Sequence, residues 1–269
     1  MVKVEKPAIL IGLPRSGTSW VYSYISLYYE KYGIFLPRSR GINLDLHDEW
    51  FDNEDYHDKD KIELLEACRK CGIEVGYKML VGALHPIDYY PHKSKYLWKK
   101  YGESVNILDW FKEFYKDTDI IILKRKNLWR TYISYLFHFR RTLQLRRNNE
   151  DVWNDPDNFW HSDITLINKT IEKYKIEFKY DEILWNKFID DVRLLNNDVI
   201  NKLPNDEVYC TEEITDEILA RRFSGTPKNK IEIQNIDYES YWSKKGLRYM
   251  KEKYNKVFQD EFKEYGYTE

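Results

Sequence analysis

The sequence predicts an α/β fold, a parallel β-sheet with helices on both faces. Three observations carry that expectation. Short apolar runs bounded by turn residues recur along the chain, as buried parallel strands do. Segments with helical spacing separate them, giving a β–α alternation from end to end. No repeat, linker or low-complexity tract interrupts the 269 residues, so the expectation is one domain over 1–269.

The elements follow in order. Residues 8–13 (AILIGL), between Pro7 and Pro14, read as the first strand. A glycine-containing loop leads to residues 18–32, where Trp20, Ile25, Leu27 and Tyr28 recur at helical spacing and Gly33 supplies a C-terminal stop. Residues 37–60 are polar and irregular, long for a plain connection, and such loops often carry function. Residues 73–80 (IEVGYKML) predict a second strand, 105–115 an amphipathic helix, 119–124 (DIIILK) a third strand and 128–146 a helix leaving it. A long, somewhat irregular helical region spans 164–195. Residues 207–211 (EVYCT) predict the fourth strand, and 238–265 close the chain as one or two helices.

Composition narrows the function. Hydrophobic residues make up 42% and both charge signs run throughout, as in a folded protein rather than a disordered one. A net charge of -2 gives no global pull toward nucleic acid. The three cysteines are too few for a disulfide framework. Cys68 and Cys71 form one CxxC, and a closed zinc site needs four ligands, so no metal is expected. No apolar run is long enough to span a bilayer. Met1-Val2-Lys3-Val4 leads directly into the first strand with no signal-peptide pattern, and the expected location is the cytoplasm.

The most informative segment is Gly12-Leu13-Pro14-Arg15-Ser16-Gly17-Thr18-Ser19, which has GxxxxG spacing between a strand and a helix. Glycine lets the backbone approach an anion, and the N–H groups of the following helix end point at it. Thr18 and Ser19 add hydroxyls and Arg15 a positive charge. A nucleoside-triphosphate loop carries Lys after its second glycine, and this loop has Thr18 there. That departure suits a smaller anionic group at a 5′ position better than Mg-ATP. A second motif is independent of the first. Arg125 stands at the carboxyl end of the third strand and Ser134 nine residues on, in the following helix. Ligands of open α/β sheets sit at carboxyl strand ends, and a guanidinium and a hydroxyl there can grip a phosphate.

Pro14-Arg15-Ser16-Gly17-Thr18-Ser19-Trp20 resembles the 5′-phosphosulfate loop of sulfotransferases that use 3′-phosphoadenosine 5′-phosphosulfate (PAPS), in the PRSGT form of their bacterial and carbohydrate-acting branches. Arg125 and Ser134 resemble that family's 3′-phosphate motif, although many members place the Arg where this chain has Lys126. The resemblance implies a P-loop-like sulfotransferase fold. It also implies transfer of a sulfuryl group from PAPS, as co-substrate, to a hydroxyl or amine acceptor, a glycan among the options. Thr211-Glu212-Glu213-Ile214 stands where relatives have Y-E-D-L. Lys228 and Lys230 lie where relatives have a basic loop over the 3′-phosphate, and they read equally as solvated lysines.

Sulfuryl transfer needs a base for the acceptor proton and positive charge at the oxygens that gain negative charge. Lys78, within a G-x-K strand like that of bacterial relatives, is the candidate cation beside Arg15. The base is sought in residues 43–51, where Glu49 leads and Asp45, His47 and Asp48 follow. His85 and His138 are further options. Arg140, Arg141, Arg146 and Arg147 form a basic group, either a solvated face or a docking surface for an acidic acceptor. Two other classes remain open: a P-loop kinase of a small metabolite, and a PAPS-binding protein without turnover.

Overall fold

The computed structural model describes residues 8–31, 38–39, 42–43, 77–81, 119–148, 164–202, 207–223, 225–226 and 236–268. They fall into two compact units, one within Met1–Arg125 and Ile189–Glu232, the other within Lys126–Phe188 and Ile233–Glu269.

The first unit is an α/β structure on a parallel sheet. Its strands are β1 (Ala8–Gly12), β4 (Tyr77–Leu80), β5 (Asp119–Lys124) and β6 (Glu207–Cys210), in the order β4-β1-β5-β6, with every neighbouring pair parallel. Two-residue strands β2 (Arg38–Ser39) and β3 (Ile42–Asn43) pair antiparallel within the region expected to be irregular. The apolar runs of β1 and β5 are continuous rather than alternating because both of their faces are covered. Leu10, Ile121 and Leu123 pack with Trp20, Val21, Tyr24 and Ile25 of helix α1 (Thr18–Lys31). Ile11, Ile120 and Ile122 occupy the opposite pleat positions and are also buried. The expected helix over 105–115 and residues 73–76 of the expected second strand lie outside the described residues.

One helix of this unit had no counterpart in the sequence reading, Asp216–Arg222. Its start is capped by Thr215, whose side chain accepts from the Ile218 N–H. Asp216 and Glu217 occupy its first turn and Arg221 and Arg222 its last, matching the helix dipole. Leu219 and Phe223 join the cluster on α1. The Asp216 carboxylate accepts from the Trp20 indole N–H at 3.0 Å and from the Tyr24 hydroxyl at 2.6 Å, which ties α1 to this helix.

The second unit is helical among its described residues. Helix α2 (Leu128–Asn148) begins at Asn127, whose side chain accepts from the Arg130 N–H at 2.7 Å. The sequence suggested one irregular helical region over 164–195, and the chain breaks there instead. Helix α3 (Ile164–Tyr174) ends as Lys175 turns left-handed (φ 49°) and the Ile176 N–H donates to the Ile171 carbonyl at 3.0 Å. Asp181 then caps α4 (Glu182–Leu194), its carboxylate accepting from Ile183 and Leu184 N–H; from Ile189 on, the helix belongs to the first unit. Helix α5 is Asp216–Arg222 of the first unit, and α6 (Lys244–Val257) follows the 3-10 turn Tyr238–Tyr241. Tyr132 is fully buried in the second unit, with ring centroids 4.9 Å from Trp185 and 5.1 Å from Phe188. Among the described residues, no helix is long and apolar enough to cross a membrane.

Gly12 fixes how closely the end of β1 meets the end of β5. A Cβ there would lie 2.8 Å from the Leu123 carbonyl oxygen and 2.7 Å from the Thr18 methyl. The backbone oxygen cannot swing aside, so overpacking at this point costs about 1–3 kcal/mol. Gly12→Ala is expected to lower the urea midpoint by a corresponding amount with the slope unchanged. A wild-type midpoint would show that the strand ends separate freely.

Candidate anion-binding site

The chain leaves β1 and turns within residues 13–17 before α1 begins. The Ser16 N–H and hydroxyl both donate to the Leu13 carbonyl, at 3.2 and 2.6 Å. Ser16 is fully buried, so its side chain holds the shape of the turn. Arg15 and Gly17 both adopt left-handed backbone, with φ of 68° and 89°. Left-handed residues in a tight turn bring successive N–H groups onto one concave side, a geometry that receives anions. The Gly17 carbonyl accepts from Trp20 and Val21 N–H at 3.0 and 3.2 Å. Gly17 is therefore the last residue before the helix, and Thr18 and Ser19 supply the N–H groups of its open end.

The sheet order places this loop at a crevice. The strand that follows β1 in the sheet, β4, lies on one side of it; the strand that follows β5, which is β6, lies on the other. Chain connections thus leave β1 and β5 in opposite directions, and open α/β sheets take ligands at such a switch, beyond the carboxyl ends of the strands. The loop follows β1 there, and Arg125 follows β5 immediately. The Arg125 side chain is 12% exposed, with its Nε 3.6 Å from a carboxylate oxygen of Glu212.

The other expected residues divide clearly. Pro14 and Thr18 are buried, Ser19 is partly buried and Arg15 is exposed on the loop. Trp20 is buried with its indole N–H on Asp216, so its side chain anchors the helix that carries the loop. Lys78 pairs by backbone register with Leu10, two residues before Gly12 in the strand next to β1. Ser134 lies in α2 of the second unit and is 2% exposed. Glu49, Asp45, His47, Asp48, His85, Lys228 and Lys230 lie outside the described residues, as do Cys68 and Cys71. Within the second unit, Arg140 takes neither of the two roles considered for the basic group. It donates to the Lys179 and Tyr180 carbonyls and pairs with Asp181 at 3.1 Å, clamping the turn before α4. Arg141 is buried.

A residue that sequence reasoning passed over completes the arrangement. Thr211, one position past β6, donates its N–H to the Lys124 carbonyl at 2.8 Å. Its hydroxyl meets the Ser16 carbonyl of the loop and lies 3.1 Å from the Lys124 carbonyl. In the sequence it showed only as a threonine where relatives of the resembled family carry an aromatic residue. No protein-family model matches the chain, and no curated protein matches it.

Arg15 offers a separation of charge from backbone shape. Left-handed backbone disfavours a non-glycine residue by roughly 1–2 kcal/mol. Arg15→Ala and Arg15→Gly both delete the charge, but only glycine relieves the backbone. Arg15→Gly is expected to be more stable than Arg15→Ala by about 1 kcal/mol in urea denaturation, with both variants losing affinity for phosphate-bearing ligands. Equal stability of the two would show that Arg15 is not held left-handed in solution.

Proposed function

We propose that the chain is a PAPS-dependent sulfotransferase with a P-loop-like fold, acting on a hydroxyl or amine acceptor such as a glycan. The observation that carries the reading is a glycine loop at the β1–β5 crevice whose charge comes from Arg15, with Thr18 rather than Lys after Gly17 and Arg125 at the adjacent strand end. Such a loop is well matched to one phosphosulfate and poorly matched to a triphosphate, which relies on Lys and a metal ion to offset its charge.

When bound, PAPS supplies the activated sulfuryl group. The protein's part is to bind and orient it and to remove the acceptor proton. In this reading the backbone of 14–19 and the Thr18 and Ser19 hydroxyls hold the 5′ end. Arg15 offsets the charge that gathers on its oxygens, with Lys78 proposed to assist. Arg125 holds the 3′-phosphate, with Ser134, Lys228 and Lys230 assigned to it through the family resemblance alone. Glu49 is the proposed base, ahead of Asp45 and His47. The Arg125–Glu212 contact at 3.6 Å is longer than a hydrogen bond, and a phosphate bonded to Arg125 would gain a charge-assisted contact of about 1.5–3 kcal/mol.

Thermal shift of the purified protein tests the reading. 3′,5′-Adenosine bisphosphate is expected to raise the melting temperature in EDTA, since a ligand that binds only the native state at 100 times its Kd adds about 2.7 kcal/mol. Mg-ATP, lacking the 3′-phosphate, is expected to stabilise less. Stabilisation by Mg-ATP alone would replace the proposal with a kinase, and binding of the bisphosphate without sulfuryl transfer to any acceptor would leave a binding protein.

Glu212 provides a test of the Arg125 assignment in which the sign is diagnostic. Its carboxylate competes with an incoming phosphate for Arg125 and repels it. Glu212→Gln is expected to tighten binding of the bisphosphate in calorimetry, while Arg125→Ala weakens it. Tighter binding to Arg125→Ala than to wild type would move the 3′-phosphate away from this strand end.

A further inference from the structure

We infer that Thr211 is a positioning residue that sets the anion loop in its ligand-receiving form, an inference that rests on the sulfotransferase reading for its ligand but not for its geometry. The hydroxyl of Thr211 has one proton and two carbonyls within reach, those of Ser16 and Lys124. Lys124 already receives the Thr211 N–H at 2.8 Å, and the Ser16 oxygen is the nearer of the two to the hydroxyl. The proton therefore belongs to the Ser16 carbonyl.

That choice has a directional consequence. A trans peptide places its C=O and the next N–H on opposite sides. Holding the Ser16 carbonyl against Thr211 turns the Gly17 N–H the other way, toward the concave side that the left-handed Arg15 and Gly17 create. If the Ser16–Gly17 peptide rotated, an oxygen would face the anion in place of a donor. The neighbouring groups of the loop are engaged elsewhere. The Ser16 side chain and N–H are both committed to Leu13, and the Gly17 carbonyl is committed to the start of α1. The restraint comes from the end of β6, 195 residues later in the chain. Thr211 itself is 9% exposed and linked by its backbone to β5, so it is a firm point of attachment.

The test compares Thr211→Val, which keeps the shape and deletes the proton, with Thr211→Ser, which restores the hydroxyl. Two measurements are made: calorimetric affinity for 3′,5′-adenosine bisphosphate, and hydrogen–deuterium exchange of residues 13–19 without ligand, referenced to the interior of α1. Thr211→Val is expected to bind about tenfold more weakly, equivalent to about 1.4 kcal/mol, and to exchange faster in the loop alone. Thr211→Ser is expected to match wild type in both. Thr211→Ala replaces the valine variant if that protein does not fold. Wild-type affinity and wild-type loop exchange in Thr211→Val would overturn the inference while leaving the function standing. If the wild-type protein does not bind the bisphosphate, the functional reading fails, and the loop exchange of the two variants alone decides the role of Thr211.

Discussion

The close approach of β1 and β5 at their carboxyl ends is the constraint on which the site depends. Gly12 has no space for a side chain between Leu123 and Thr18, so the chain cannot leave β1 by a wide path. Beyond Gly12, Ser16 folds back on Leu13, and Arg15 and Gly17 take left-handed backbone. The sheet order makes that location a switch point, because the connections from β1 and β5 lead to opposite sides. The loop therefore lies where the sheet itself leaves a crevice, just beyond the crowded position of Gly12.

Local patterns made the strands and the loop legible, and long-range contacts hid the rest. The runs AILIGL and DIIILK identified β1 and β5 because strands covered on both faces show nearly continuous apolar character. Gly12, Gly17 and the hydroxyl residues marked the loop because a tight strand-to-helix turn imposes its own residue types. Helix α5 escaped notice, although Thr215, Asp216 and Glu217 are a legible start, because seven residues between charged flanks give little periodicity to read. The break between α3 and α4 also escaped, since a left-handed Lys175 carries none of the glycine signal that usually ends a helix. Asp216 and Thr211 could not be assigned from sequence at all. Their partners, Tyr24 and Ser16, are 192 and 195 residues away.

Several polar side chains among the described residues serve to fix backbone, and that shifts how the motif residues are understood. Ser16 and Trp20 lie inside the segment that resembles a phosphosulfate loop, yet their side chains hold the turn and the helix. In the second unit Arg140 does the same, its guanidinium donating to the Lys179 and Tyr180 carbonyls of the turn before α4. A motif read as a set of ligand contacts is thus partly a set of supports. In the proposed reading the ligand meets the backbone N–H groups of the loop, the Thr18 and Ser19 hydroxyls and the charge of Arg15.

Arg15 is where stability and function separate most clearly. Glycine would take its left-handed conformation without penalty, and the chain has glycine two residues later in the same conformation. The side chain is exposed. The conformational cost is carried by an exposed residue, at a switch point, beside a turn built from supporting side chains. Strain retained in this way points from the outlier toward a role for the charge. A phosphate-bearing ligand would return that cost through charge-assisted hydrogen bonds, which are roughly twice as strong as neutral ones. An arginine rather than a lysine suits that purpose, because its planar fork can take two oxygens of one anion at once.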